Sequence, residues 1–334
     1  MKVFVYYKPA DASDAFEGTR LRKTIKGACE AVNISWVSAP EQGLDVAHFI
    51  SPSDLLLMRE QKEKGVPCVV SAFYAENDPH ASYLTDGEKL VLTPRGLAML
   101  NQADLVLVPD ERMATFAKEN GVTSHIEVLE PAVRMNRFSK MALESKIFRR
   151  YFGVSPSQKI VVATGSYGDK KTVNLVKKVA EACPSLEFYF FGAKRKYDPL
   201  NIAKKITRLK RTANMHFKDI VQDDVYRSAL MNSLAYISND SVRPDPITSI
   251  EAFASQTQVV AFDSARPNPL LRENETCYFF TSPEEMAKYL TSLNLGSAES
   301  TIDSAYAIAK AHNLISYGKA LQKHYESLMT GEKR

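Results

Sequence analysis

The 334-residue chain has no uninterrupted apolar run of the roughly eighteen residues that a membrane-crossing helix needs, so no such helix is expected. Its opening residues turn polar too soon for a signal peptide. The four cysteines, Cys29, Cys68, Cys183 and Cys277, are scattered and form no Cys-x-x-Cys pair. They read as reduced, mostly buried thiols of a cytoplasmic protein. The six histidines show no ligand spacing, so no metal is expected. There is no Gly-x-Ser-x-Gly and no Walker loop, which leaves hydrolase and P-loop readings without support. Repeats of solenoid length and low-complexity tracts are absent too. A net charge of only +4 excludes a chain that binds polyanions over its whole surface.

What is present is ordinary globular composition, 45% hydrophobic and 25% charged, in a chain whose length suits two α/β domains. Strand and helix signals alternate. Strands are expected over 3–7, 33–37, 46–50, 66–72, 105–108 and 126–129. Helices are expected over 19–32, 54–64, 93–101 and 111–120. The second half repeats the pattern. Its strands are expected over 160–164, 186–191, 215–218, 235–238 and 258–262. Its helices are expected over 137–152, 173–182, 200–211, 222–233 and 284–293, and a long helical region over 300–329. Such alternation means parallel sheets wound by crossover helices. The expected fold is therefore α/β, with two Rossmann-like parallel-sheet domains facing across a cleft that holds the ligand. The domains are expected over 1–135 and 136–310. Residues 311–334 form a helical region able to cross back to the first domain.

Two segments carry chemistry. The first is Pro244 to Ser255, a turn-rich loop leading into a helix with Glu251 in its first turns, followed by the apolar run 258–262. A loop of this kind sits at the carboxyl end of a strand, where ligands bind. The helix-start amides of Ile247 and Thr248 offer an anion site. Glu251 offers an acceptor for hydroxyls; the alternative is an exposed glutamate that complements the helix dipole. The second segment follows the strand at 160–164. Gly165, Ser166, Tyr167 and Gly168 make a turn, and Lys170 and Lys171 open the next helix. The two lysines can neutralise a diphosphate, or can simply be the solvated start of that helix.

Read together, the chain resembles the GT-B glycosyltransferases of family 4. It is most similar to the small glycolipid-forming enzymes of Firmicutes that elongate glucosyl-diacylglycerol. Besides the two segments above, the resemblance is carried by Phe16 to Arg20, by Glu130 to Arg134 with Arg137 and Phe138, and by Phe148 to Phe152. It implies the GT-B fold and retaining transfer of a hexose from a nucleoside diphosphate sugar, with UDP expected. The implied acceptor is a glycolipid or another cell-envelope glycan, and no metal is required. Glu251 would hold the nucleotide ribose. Lys170 and Lys171 would hold the diphosphate, with Ser166 where the family usually has an arginine. Gly18 and Gly165 would permit close backbone approach. Lys171 would act on charge growing on the leaving group. Two positions depart from the family pattern. Arg243 replaces an acid facing the donor sugar, for which Asp245, or less readily Asp240, could substitute. Phe73 stands where the family has a histidine, and nearby His80 is out of register. The rival reading is a catalytically degenerate relative acting as a binding or partner protein. A GT-B-like epimerase has less support, because the acids it would need are not found.

Lys194 to Lys196, Lys204, Lys205, Arg208, Lys210 and Arg211 are a dense basic group. Across 194–218 it could meet an anionic membrane surface at the inner face of the membrane, or it is a solvated helix face. Without aromatic interleaving, nucleic acid is not an expected partner. Glu76, Asp78 and Asp86 are candidate cleft residues with no visible partner. Oligomeric state has no signal in the sequence.

Overall fold

The computed structural model describes residues 1–7, 15–74, 81–83, 90–138, 146–166, 170–193, 212–218, 221–238, 246–265, 267–293 and 300–331. The chain forms two compact units. The first comprises Met1–Ser82, Leu90–Val133 and His312–Arg334, and the second Tyr83–Lys89 and Arg134–Ala311.

The first unit is built on β1 (Lys2–Tyr6), β2 (Ser35–Val37), β3 (Val46–Ile50), β4 (Cys68–Ser71), β7 (Leu105–Val108) and β8 (Ile126–Val128). They form one sheet in the order β2-β1-β3-β4-β7-β8. Every pairing within it is parallel. β3, β4 and β7 are buried along their whole length, as expected for a sheet covered on both faces. Around it run α1 (Ala15–Ala31), α2 (Leu55–Glu63), α3 (Pro94–Leu100) and α4 (Glu111–Glu119). A short two-stranded sheet pairs β5 (Ala81–Tyr83) with β6 (Leu90–Leu92). The starts of α2, α3 and α4 are capped by the side chain that precedes each helix. Asp54 Oδ1 accepts the Leu57 N–H at 3.1 Å, Thr93 that of Gly96 at 3.1 Å and Asp110 that of Met113 at 3.0 Å.

The second unit repeats the plan. Its sheet orders the strands β11-β10-β9-β12-β13-β14. These are β9 (Ile160–Ser166), β10 (Glu187–Ala193), β11 (Met215–Lys218), β12 (Ser233–Ser238), β13 (Gln258–Phe262) and β14 (Tyr278–Phe280). All its pairings are parallel too. The helices are α5 (Ile147–Phe152), α6 (Lys170–Ala182), α7 (Asp223–Asn232), α8 (Pro246–Ala254), α9 (Pro283–Ser292) and α10 (Ser300–Ala311). One continuous core joins Val161, Val176, Phe190, Ile237 and Val260 with Met286 and Leu290 of α9.

The chain then returns to the first unit as α11 (Leu314–Thr330), whose start is capped by Asn313. Val133 bridges to Asn313, and the Val133 N–H donates to His312 O at 2.9 Å. α11 lies against α1 so closely that a Cβ on Gly318 would sit 2.5 Å from Ala28 O and 2.9 Å from Val32 Cγ1. Deeper in, His48 on β3 is fully buried. Its Nδ1 meets the Tyr325 hydroxyl of α11 at 2.6 Å and its Nε2 meets Ser71 Oγ at 2.7 Å. Burial pulls the His48 pKa from 6.5 down to about 3, so the imidazole is neutral, one nitrogen donating and the other accepting.

Several elements differ from the sequence pattern. The helix expected over 137–152 is, among the described residues, a 3-10 turn at Met135–Arg137 and the short α5, ended by Gly153 in the left-handed conformation. The helical region expected over 300–329 is two helices broken at His312 and Asn313. Strands β5, β6 and β14 had no counterpart in the pattern. The helix expected over 200–211 lies outside the described residues.

Candidate functional site

The strand order of the second unit locates its ligand end. From β9 the chain winds outward through β10 and β11, then crosses to β12 on the other side. The reversal falls between β9 and β12, and in open parallel sheets ligands bind at the carboxyl ends of the strands beside such a switch point. The two segments singled out in the sequence follow these two strands. One runs from β9 through Gly165 and Ser166 into α6, which opens with Lys170 and Lys171. The other runs from β12 into α8, which opens with Pro246, Ile247 and Thr248.

The strand ends are tied together. Ala163 of β9 pairs with Ile237 of β12, and one step further on Thr164 Oγ1 lies 2.8 Å from the Tyr236 hydroxyl. Gly165 has φ of 149°, a conformation that residues with a Cβ rarely adopt, so the chain leaves β9 by a route that needs glycine. Lys171 is exposed in the first turn of α6. All nine residues of α8 are buried. Glu251 is 8% exposed and lies in the second turn, so it is not a solvent-facing glutamate at the helix start. A carboxylate at that depth is a strong acceptor, since little water competes for it. Ser238 ends β12, and Ser249 is in the first turn of α8. Both hydroxyls are buried without a hydrogen-bond partner among the described residues. Pattern reading missed them, because a lone serine at a strand end or in an apolar helix has no signature until its burial is known. Buried hydroxyls ordinarily find a partner.

Other expected residues fall elsewhere. Gly18 lies inside α1 and not in a loop ahead of the helix, because that helix begins at Ala15. Phe73 follows β4 in a left-handed conformation, with φ of 63°, and is 1% exposed. It packs edge-to-face on Phe116 at 5.5 Å, which makes it a core residue of the first unit. Asp245, Arg243 and Asp240 lie outside the described residues, as do Glu76, Asp78, His80 and Asp86. So does the basic group from Lys194 to Arg211. Of the expected membrane-facing stretch, Lys218 is described, and its ammonium lies 4.3 Å above the Phe152 ring. All four cysteines are buried and none is in a disulfide. Among the described residues no group of three or more His, Cys, Asp or Glu could hold a metal ion. No described helix is long and apolar enough to cross a membrane.

The first unit has its own reversal, between β1 and β3. There the Tyr6 hydroxyl donates to Asp54 Oδ2 at 2.8 Å, while the other Asp54 oxygen caps α2. Burial, then the bond to Asp54, raises the Tyr6 pKa to about 12. This pair was not legible beforehand, since 48 residues separate its members.

A comparison against protein-family models finds no match. The chain is 23% identical over 312 residues to a processive diacylglycerol alpha-glucosyltransferase of Acholeplasma laidlawii, covering 91% of each chain. Its fold is that of the GT-B glycosyltransferases. Solved structures agree on the fold. A sucrose-phosphate synthase from Thermosynechococcus elongatus matches with a TM-score of 0.72 at 12% identity, over 99% of this chain and 100% of that one. HepE from Anabaena, solved with UDP and glucose, matches with a TM-score of 0.69 at 14% identity, over 98% and 100%. TarM of S. aureus, solved with UDP, matches with a TM-score of 0.62 at 18% identity, over 85% of this chain and 56% of that one. In this GT-B fold the two segments singled out in the sequence lie at the switch point of the second unit.

Proposed function

We propose that this glycosyltransferase moves a hexose, with retention, from a UDP-linked donor to a glycolipid or cell-envelope glycan acceptor. The observation that carries the donor assignment is that the two segments, one leading to Lys170 and Lys171 and the other into the helix that holds the buried Glu251, follow neighbouring strands β9 and β12 at one switch point. UDP as the nucleotide is supported by the complexes of HepE and TarM. A glycolipid acceptor is supported by the Acholeplasma relative.

In this reading Glu251 accepts the ribose hydroxyls. The amides of Ile247 and Thr248 and the two lysines meet the diphosphate. As the bond between the sugar and the diphosphate breaks, negative charge grows on the departing UDP. Fixed donors and ammonium groups already aimed there lower the barrier and need no metal. The acceptor hydroxyl forms the new bond to the sugar on the face the diphosphate leaves and gives its proton to the departing diphosphate oxygen, so UDP is released. Asp245 is the acid nearest in sequence to Arg243 that could face the sugar. The protein acts at the cytoplasmic side of the membrane, where such donors and lipid acceptors meet.

The binding-protein alternative draws on one observation: Phe73 is committed to the core against Phe116. Calorimetry on Glu251→Ala tests the donor site. Loss of hydrogen bonds to a charged acceptor is expected to weaken UDP binding by about 2 to 3 kcal/mol. Equal UDP affinity in wild type and variant would remove Glu251 from the site. Turnover of UDP-hexose by the wild-type protein with membrane lipid extract separates enzyme from binding protein.

A further inference from the structure

A cavity of about 610 Å³ opens in the first unit, within the usual range of roughly 300 to 1,000 Å³ for small-molecule sites. It lies at the amino ends of the strands. Val66 and Pro67 precede β4, Asp104 precedes β7 and His125 precedes β8, and all four line it. The last turns of α11 close the other side through Lys323, His324, Ser327 and Leu328. This is the end of the sheet opposite to that of Tyr6 and Ser71, so it is separate from any site at the carboxyl ends of these strands.

The charges in the lining select the ligand. Both carboxylates are already engaged. Asp104 takes the Lys62 ammonium on Oδ1 at 2.7 Å and the Cys68 N–H on Oδ2 at 2.8 Å. Glu127 meets His125 Nε2 at 2.9 Å. A cationic ligand would have to displace one of these partners. Lys323 has no ion pair among the described residues, so its ammonium is available to an incoming anion. Val66, Pro67, Leu105 and Leu328 give the same cavity an apolar wall. We propose that this cavity is a second ligand site, which takes a small amphiphilic anion: one carboxylate or phosphate group against Lys323, with an apolar body on that wall. Neither the donor nor the acceptor reading requires it.

The probe is 8-anilinonaphthalene-1-sulfonate, an amphiphilic anion of suitable size, titrated into the full chain with UDP present and absent. One saturable site per chain is expected, unmoved by UDP and at least tenfold weaker in Lys323→Glu. Leu328→Gln is expected to weaken it severalfold. Lys323 is exposed, so the variant folds, and the fluorescence of Trp36 verifies that. Displacement by octanoate assigns a carboxylate amphiphile, and displacement by inorganic phosphate assigns a phosphate ester. The proposal is overturned if binding does not saturate, if neither competitor displaces the probe, if UDP displaces it, or if Lys323→Glu binds it unchanged.

Discussion

The buried His48 should make the first unit sensitive to mild acid. Its pKa is about 3 in the fold, against 6.5 for the free side chain. A histidine whose pKa is depressed by folding contributes stability that is complete above the unfolded pKa. That stability is lost as pH falls below 6.5, and the loss continues down to about 3. Each pH unit in that window costs about 1.4 kcal/mol, so a shift from pH 7 to pH 5 should cost about 2 kcal/mol from this residue alone. Other groups titrate over the same range, so the informative quantity is the difference between wild type and His48→Asn. Asparagine keeps a donor and an acceptor but cannot ionise.

The single tryptophan, Trp36, is on β2, so its fluorescence during urea denaturation follows the unit that contains His48. Wild type should lose about 2 kcal/mol more than His48→Asn between pH 7 and pH 5. Tyr325→Phe leaves His48 Nδ1 facing a ring without its hydroxyl, and should cost about 1 to 3 kcal/mol at pH 7. Equal losses on acidification in wild type and His48→Asn would refute the assignment of a neutral, buried imidazole.

Three further outcomes are expected. Gly318→Ala places a methyl group 2.5 Å from Ala28 O, so α11 must shift off α1. A loss of about 1 to 3 kcal/mol in urea denaturation followed by Trp36 is expected, and an unchanged midpoint would show that the helices are free to part. Ser238→Ala removes a buried hydroxyl that lacks a partner among the described residues, so it should leave the melting temperature of the free protein unchanged or raise it. It should also weaken UDP binding if that hydroxyl meets the donor, and calorimetry beside thermal melting separates the two effects. Lys171→Ala should lower turnover at least tenfold with little change in melting temperature, because the side chain is exposed and acts on charge that grows as UDP leaves. Steady-state kinetics with UDP-hexose checks it, and unchanged turnover returns Lys171 to the solvated start of a helix.

The reasons why some of this was legible in the sequence are physical. Runs such as Val46–Ile50 and Gln258–Phe262 read as strands because parallel strands covered on both faces are apolar throughout, and all five positions of each are buried. The two switch-point segments could be located because glycine lets the chain turn sharply after a strand and proline is favoured at a helix start. The errors arose where local pattern met long-range packing. The basic periodicity over 137–152 suggested one helix, yet what fixes α5 is non-local: the Phe148 N–H donates to Ser228 Oγ at 2.8 Å, and Arg149 Nε donates to Asn232 Oδ1 at 3.0 Å. Asn313 could have been read as a cap, but its neighbours on both sides are helix formers, and the break matters because the chain changes unit there. Phe73 illustrates the limit for function. Its register marked a departure from a family pattern, while its burial against Phe116 is a property of the fold. Restoring a histidine at 73 would therefore place an imidazole in a core, where, like His48, it would be neutral and would need a partner for each ring nitrogen. A variant that fails to gain activity there would speak to packing before it spoke to chemistry.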